Sequence, residues 1–148
     1  LFGFRNRIEK ETGRGFESRE GRIMAITLGN LMIDCEDEEK LCSFYHELLG
    51  WKRITRFGRP GVISDEGLIL LFITEDDYIR PVWPEEKQEQ QKQIHFDFQT
   101  DNLDSTVKKA EKLGAKITDK QFGEGLWVTM EDPSGHLFCL CKKENPED

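Results

Sequence analysis

The 148-residue sequence contains no apolar run close to the roughly 20 residues that a membrane-spanning helix needs. Its first residues also lack the apolar stretch of a secretory signal. The 21 basic residues are scattered rather than gathered into a stripe, and 29 acidic residues give a net charge of -8. The sequence therefore lacks the clustered positive charge with which proteins bind a phosphate backbone. We expect a cytoplasmic protein whose partners include neither nucleic acid nor a membrane.

Cysteine is scarce, and no two cysteines form a CxxC pair. Cys35, Cys42, Cys139 and Cys141 all lie in apolar segments. This pattern is typical of reduced, buried thiols and disfavours a disulfide framework. Cys139 and Cys141 share a face of one predicted strand, and we interpret the pair as core residues rather than as a redox or zinc site.

The first 23 residues differ in character from the rest of the chain. Residues 1–23 carry mixed charges with little periodicity, whereas Met24 opens a clean strand pattern. We therefore expect Met24 to be the natural start, and residues 1–23 to be an extension that is disordered or foreign to the natural chain. A chain of this length builds one core, so we expect a single domain over residues 24–148.

From Met24 onward the sequence contains an internal repeat. The segment "NLMIDCEDEEKLCSFYHELLGWKRI" is followed by the similar segment "HFDFQTDNLDSTVKKAEKLGAKI". Asn30 aligns with His95, and Gly50 aligns with Gly114 at the predicted end of each helix. Each copy predicts a strand, an amphipathic helix and a further strand, after which a strand pair closes the unit.

The repeat predicts two βαβββ modules, over residues 26–74 and 93–142, and hence an α+β fold. The segment between the modules, "TEDDYIRPVWPEEKQEQQKQ", contains prolines and a Glu/Gln/Lys run that are typical of a solvated spacer. Tyr78 and Trp83 support a second interpretation, in which part of this segment covers a ligand pocket.

The stretch "QIHFDFQT" places polar and apolar residues in strict alternation. His95, Asp97 and Gln99 fall on one face of the predicted strand, and Phe96 and Phe98 fall on the other. We expect the two phenylalanines to pack in the core. The other histidines, on the first helix and after the Asp-Pro-Ser-Gly turn, are weaker candidates for a functional site.

Three further motifs carry a resemblance to a known superfamily. The sequences "FYHELLGW", "DNLDSTVKKAEKLGA" and "EDPSGHLFCL" resemble the vicinal oxygen chelate superfamily, which includes glyoxalase I, bleomycin and fosfomycin resistance proteins and extradiol dioxygenases. The likeness extends from Ile26 to Cys141, and "YIRPVWP" with "IHFDF" is similar to its glyoxalase-like subgroup. The resemblance implies two half-barrel sheets with helices outside, a ligand and usually a divalent metal inside, and a homodimer.

The resemblance also implies where metal ligands would stand. These are the first-strand positions Asn30 and His95 and the fourth-strand positions Leu71 and Cys139. Only His95 is an unambiguous ligand, because Leu71 cannot coordinate, Asn30 offers a weak amide oxygen and Cys139 replaces the usual Glu. We therefore expect His95 to be a metal ligand only if a metal binds at all. The cofactor stays unknown, with a divalent metal disfavoured.

Strand alternation also places Asp34 beside these positions. His95, Asp97 and Asp34 are the predicted catalytic group, in which the carboxylates orient His95 or exchange protons. Alternatively, the three side chains only bond neighbours and water on a concave face. The residues predicted to line the ligand pocket are Asn30, Met32, Leu71, Tyr78, Trp83, Gln99 and Cys139.

The sequence supports two principal functions. The first is a glyoxalase-like protein that binds or transforms a small oxygenated metabolite without the usual metal set, as an enzyme of the lyase/isomerase or dioxygenase type. The alternative is a non-catalytic protein that sequesters a drug, as bleomycin resistance proteins do, and the acidic charge would then attract a cationic ligand. A third possibility is a scaffold with a vestigial cavity.

Overall fold

The computed structural model describes residues 16–17 and 23–144. At its start, strand β1 (Phe16–Glu17) pairs antiparallel with β2 (Ile23–Met24). Most of the extension predicted over residues 1–23 lies outside the described residues, so that expectation stays a prediction.

The first module is a four-stranded mixed sheet with one helix. Its elements are β3 (Leu31–Cys35), α1 (Glu38–Leu49), β4 (Lys52–Arg56), β5 (Arg59–Ile63) and β6 (Ile69–Thr74). The strand order is β3-β6-β5-β4, with β3 parallel to β6 and the other pairs antiparallel.

The second module repeats this topology. Its elements are β7 (Phe96–Thr100), α2 (Leu103–Lys112), β8 (Lys116–Ile117), β9 (Trp127–Glu131) and β10 (Leu137–Lys142). The strand order is β7-β10-β9-β8, with β7 parallel to β10. The α+β fold of two βαβββ modules is confirmed.

Matching local signals begin and end the two helices. The side chains of Asp37 and Asn102 accept backbone N–H groups at the first turns of α1 and α2, at 3.0 Å each. After the helices, Gly50 and Gly114 have φ of 68° and 109°, a conformation that side chains with a Cβ rarely adopt. Neither α1 nor α2 is long and apolar enough to cross a membrane.

Strand β7 begins later than "QIHFDFQT" predicts. Gln93 has a φ of 56° and the N–H of Ile94 donates to the carbonyl of Lys92, so a turn replaces the ladder there. His95 therefore lies immediately before β7. Asn30 stands immediately before β3 in the same way, which agrees with the alignment of the two repeats.

One hydrophobic core serves both modules, and Tyr45 of α1 lies within it. The Tyr45 ring stacks on Phe72 of its own module at 5.6 Å between centroids, and meets Phe96 and Phe138 of the second module at 6.2 and 6.5 Å. Phe96 and Phe98 pack against this core, as expected. Because the core is shared, contacts between aromatic rings help to fix the two modules relative to one another.

Candidate functional site

His95 lies where two cavities meet. The first cavity has a volume of about 380 Å³ and the second about 280 Å³. Both are lined by Lys92, His95 and Leu137. His95 keeps about two-fifths of its side chain exposed (39%), so a molecule in either cavity can reach its ring.

The walls of the first cavity come from both modules and from the segment between them. β3 contributes Met32 and Asp34, and the start of β10 contributes Leu137. The intermodule segment contributes Tyr78 and residues 90–94. The second interpretation of this segment is therefore the one that the geometry favours, because part of the segment closes one side of a cavity.

Two hydrogen bonds hold the intermodule segment against the second module, and an ion pair holds it against the first module. The Tyr78 hydroxyl donates to the carbonyl of Ser134 at 2.8 Å. Arg80 donates to the carbonyl of Pro133 at 2.7 Å and makes a two-point contact with the carboxylate of Glu36. Such paired contacts fix orientation as well as position.

The second cavity is more aromatic than the first. Trp83 meets Phe122 edge-on at 6.0 Å between centroids, Trp127 forms another wall, and Lys92 lies 4.7 Å above the Trp83 ring. The Nε1–H of Trp83 is buried without a hydrogen-bond partner among the described residues. A buried N–H group without an acceptor lowers the stability of the fold. A ligand atom that accepted a hydrogen bond from Trp83 would therefore bind favourably here.

His95, Asp97 and Cys139 form a cluster at the edge of the second cavity. One ligand-type atom from each lies within 4.8 Å of the others, and His95 Nε2 is 3.3 Å from Asp97 Oδ1. The register explains the cluster, because Cys139 on β10 stands directly beside Asp97 on β7. Burial raises the pKa of the Cys139 thiol, although Thr129 Oγ1 lies 3.5 Å from its sulfur.

His136 also lines the first cavity, a role that the turn around it did not suggest. Its Nδ1 lies 2.8 Å from Asp132 Oδ2 and its Nε2 lies 2.8 Å from the carbonyl oxygen of Asp34. Both partners are acceptors, so the ring donates to both only as an imidazolium. Burial lowers the pKa of His136, but the hydrogen bond and charge of Asp132 outweigh it and the net shift is upward.

Asp132 extends this contact into the core, because the Tyr45 hydroxyl donates to its Oδ2 at 2.7 Å. The network thus joins both modules beneath the first cavity. The signal in the sequence was an Asp and a His four residues apart across a turn, which brings a carboxylate and an imidazole together. His46, by contrast, is half-buried on α1 and bonds the carbonyl of Trp51 at 2.7 Å.

The predicted catalytic residues separate into two places. Asp97 is the carboxylate that lies against His95, whereas Asp34 lines the first cavity without belonging to the His95 cluster. The roles of all three in catalysis stay predictions.

The residues predicted to line the ligand pocket divide in a similar way. Met32 and Tyr78 line the first cavity, and Trp83 and Cys139 line the second. Asn30, Leu71 and Gln99 line neither of these two cavities.

The four metal positions implied by the resemblance do not fit a metal ion. Leu71 is fully buried and pairs with Met32 across β3 and β6, so the first module offers an aliphatic side chain where a ligand would stand. Asn30 offers only an amide oxygen. Within the described residues, the donor atoms that converge around His95 are those of His95, Asp97 and Cys139, and all three residues belong to the second module.

Comparison with known proteins agrees with this architecture. A family model described as a glyoxalase-like domain matches residues 30–141. The fosfomycin resistance protein FosX from Mesorhizobium loti is similar in structure, at 14% identity and a TM-score of 0.60 over 84% of this chain and 98% of that chain. None of the curated proteins matches the chain significantly.

Two further solved structures show the same likeness. FosX from Listeria monocytogenes is 19% identical, with a TM-score of 0.60 over 84% of this chain and 96% of that chain. A glyoxalase/bleomycin resistance protein/dioxygenase family enzyme from Burkholderia phytofirmans is 16% identical, with a TM-score of 0.58 over 79% of this chain and 98% of that chain. At these identities the likeness concerns the fold alone.

Proposed function

The chain belongs to the glyoxalase-like domain family, and from this premise we propose that it binds and transforms a small oxygen-bearing molecule at His95. The observation that carries the proposal is the position of His95 on the shared wall of two cavities of about 380 and 280 Å³. Cavities of this size with mostly apolar walls and few polar groups are typical of small-molecule sites.

His95 and Asp97 are the groups proposed to act on the ligand in the metal-free protein. Asp97 lies 3.3 Å from His95 Nε2, so it can hold a proton on that nitrogen. The neutral ring then has Nδ1 free to accept a proton from the ligand. Asp34, which also lines the first cavity, is proposed to contact the ligand there. The chemistry is proton transfer next to an oxygen-bearing carbon.

A binding screen tests this proposal. We would measure the melting temperature with a panel of 2-oxo acids, 2-hydroxy acids, catechols and fosfomycin, the last because similar folds include FosX. A ligand at 100 times its Kd stabilises the fold by about 2.7 kcal/mol. We expect at least one compound to bind the wild type and His46→Ala, but to bind His95→Ala at least about 10-fold more weakly.

His46→Ala is the matched control because it removes the same ring outside both cavities. Two results would overturn the proposal. One is that no compound of the panel binds. The other is that His95→Ala binds every active compound as tightly as the wild type.

Sequestration is the second candidate, and the aromatic walls of the second cavity favour it. Trp83, Phe122 and Trp127 offer faces and edges on which a flat ring can stack. Incubating each active compound with an equal amount of protein, followed by mass spectrometry, separates the two functions. Conversion that His95→Ala abolishes supports the enzyme, and unchanged compound supports sequestration.

A homodimer in the cytoplasm completes the proposal. Ile26, Leu28 and Ile94 expose 87%, 69% and 70% of their surfaces to solvent. A second copy that covers them would remove this surface from water. Sedimentation velocity tests the dimer, and a monomer throughout the working concentration range would contradict it.

A further inference from the structure

We propose that the two cavities together bind one aryl alkyl compound, in which an oxygen-bearing group joins a planar ring to a short aliphatic chain. The ring lies in the second cavity, the chain lies in the first, and the oxygen lies where the cavities meet. This ligand class rests on the proposed function, because it assumes that one molecule reaches His95 from both cavities.

The two cavities differ in the kind of apolar side chain that lines them. The second cavity has the rings of Trp83, Phe122 and Trp127, whereas Met32 and Ile79 are among the aliphatic side chains of the first. A contact between aromatic rings strengthens binding by about 2- to 10-fold beyond the effect of the buried area. An aliphatic chain has no such term and gains only from leaving water. The second cavity therefore favours the planar ring.

The surface that the first cavity leaves for a ligand is chiefly aliphatic. Two of the rings that border it are engaged in the protein, since Tyr45 is fully buried and Phe96 packs against the shared core. Met32 and Ile79, by contrast, keep 46% and 65% of their surfaces exposed. A chain in the first cavity would remove part of this apolar surface from water, so the two contribute to binding.

Two basic side chains stand where the cavities meet. Lys92 and His95 line both cavities, together with Leu137. The Lys92 ammonium has three N–H donors, and its ion pair with Glu85 uses one of them. A ligand oxygen can accept a hydrogen bond from the donors that remain. The junction therefore favours an oxygen-bearing group, with apolar groups on both sides of it.

Alkyl phenyl ketones are the probes, and equilibrium dialysis of the full chain measures their Kd. Hexanophenone carries the ring of acetophenone and a longer chain. Each methylene that leaves water completely strengthens binding about fourfold. Because the exposed rim leaves part of the chain in water, we expect hexanophenone to bind at least about 20-fold more tightly than acetophenone. Cyclohexyl methyl ketone, whose ring is saturated, should bind at least about threefold more weakly than acetophenone.

Substitutions in the two walls separate the two halves of the ligand. The double variant Met32→Asn, Ile79→Asn should lower the 20-fold preference for the longer chain to below about 5-fold and leave acetophenone within about twofold of its wild-type Kd. Trp127→Leu should abolish the preference for the aromatic ring and keep the preference for the longer chain. Ile117→Asn and Phe57→Leu are matched controls that should keep both preferences, because both residues are exposed and line neither cavity.

Four results would overturn the ligand class. They are that no ketone binds, that the wild type prefers the longer chain by less than about 5-fold, that the double variant keeps the full preference, or that the saturated ring binds as tightly as the aromatic one. Should Trp127→Leu fail to fold, Phe122→Leu replaces it, because Phe122 is 58% exposed. The proposed function fails separately, since it requires His95→Ala to weaken every ketone, whereas the two preferences are ratios within one variant.

Discussion

Replacing Asp132 with Asn tests the network in which Asp132 contacts both Tyr45 of the first module and His136 of its own module. Its side chain is fully buried and accepts from Tyr45 at 2.7 Å, from the His136 ring at 2.8 Å and from the N–H of Ser134 at 2.9 Å. The amide keeps the shape but leaves the imidazolium without a counter-charge. Breaking a buried ion pair in this way costs about 3–5 kcal/mol.

We expect the lower end of this range, about 3 kcal/mol, because a quarter of the His136 side chain (25%) meets solvent. At about 2–4 °C per kcal/mol for a domain of this size, the melting temperature should fall by roughly 6–12 °C. Asp119→Asn, which removes an exposed carboxylate, is the control and should stay within about 0.5 kcal/mol of the wild type.

The stabilisation by the Asp132–His136 pair should also depend on pH in a definite direction. Burial opposes the charged form of His136, but Asp132 outweighs it, so the pKa of His136 lies above the value of about 6.5 that it has when unfolded. The pair's stabilisation is therefore full below about pH 6.5 and is lost as the pH rises through the folded pKa.

Urea unfolding followed by tryptophan fluorescence, at about pH 6 and pH 9, measures both effects. The difference in unfolding free energy between wild type and Asp132→Asn should be largest at the lower pH and should shrink at the higher. A difference below about 1 kcal/mol at pH 6, or one that grows with pH, would refute the reasoning.

Two other substitutions test the packing and the intermodule segment. Gly61→Ala should lower the free energy of unfolding by about 1–3 kcal/mol in urea, since its Cβ would lie 2.5 Å from the carbonyl oxygen of Leu70. Gly29→Ala, with no atom within 4 Å, should be near neutral, and equal effects would contradict the packing. Tyr78→Phe loses the 2.8 Å bond to Ser134 and should cost about 1 kcal/mol by the same assay. An unchanged stability would show that this bond does not hold the segment.

The repeated architecture could be predicted from the sequence because it depends on local signals. Gly50 and Gly114 end the two helices, and Asn30 and His95 precede the first strands. These signals act within a few residues, so they can be read directly along the chain. The late start of β7 was missed because Gln93 adopts a left-handed conformation that its residue type does not favour.

Much of the candidate site could not be predicted, because it depends on pairing between distant segments. Cys139 meets Asp97 only through the parallel register of β10 and β7. His136 bonds the carbonyl of Asp34, which lies 102 residues away in the chain. Residue types and alternation assign side chains to faces of strands, but they do not say which strands become neighbours.

The most direct test of the central claim observes the three histidine rings during ligand binding. All three histidines lie within the described residues, and only His95 borders both cavities. We would record imidazole nuclear magnetic resonance spectra while titrating a compound that raises the melting temperature. The account predicts saturable shifts of the His95 signal, with the His46 signal unchanged. A bound compound that leaves the His95 signal unmoved would contradict it.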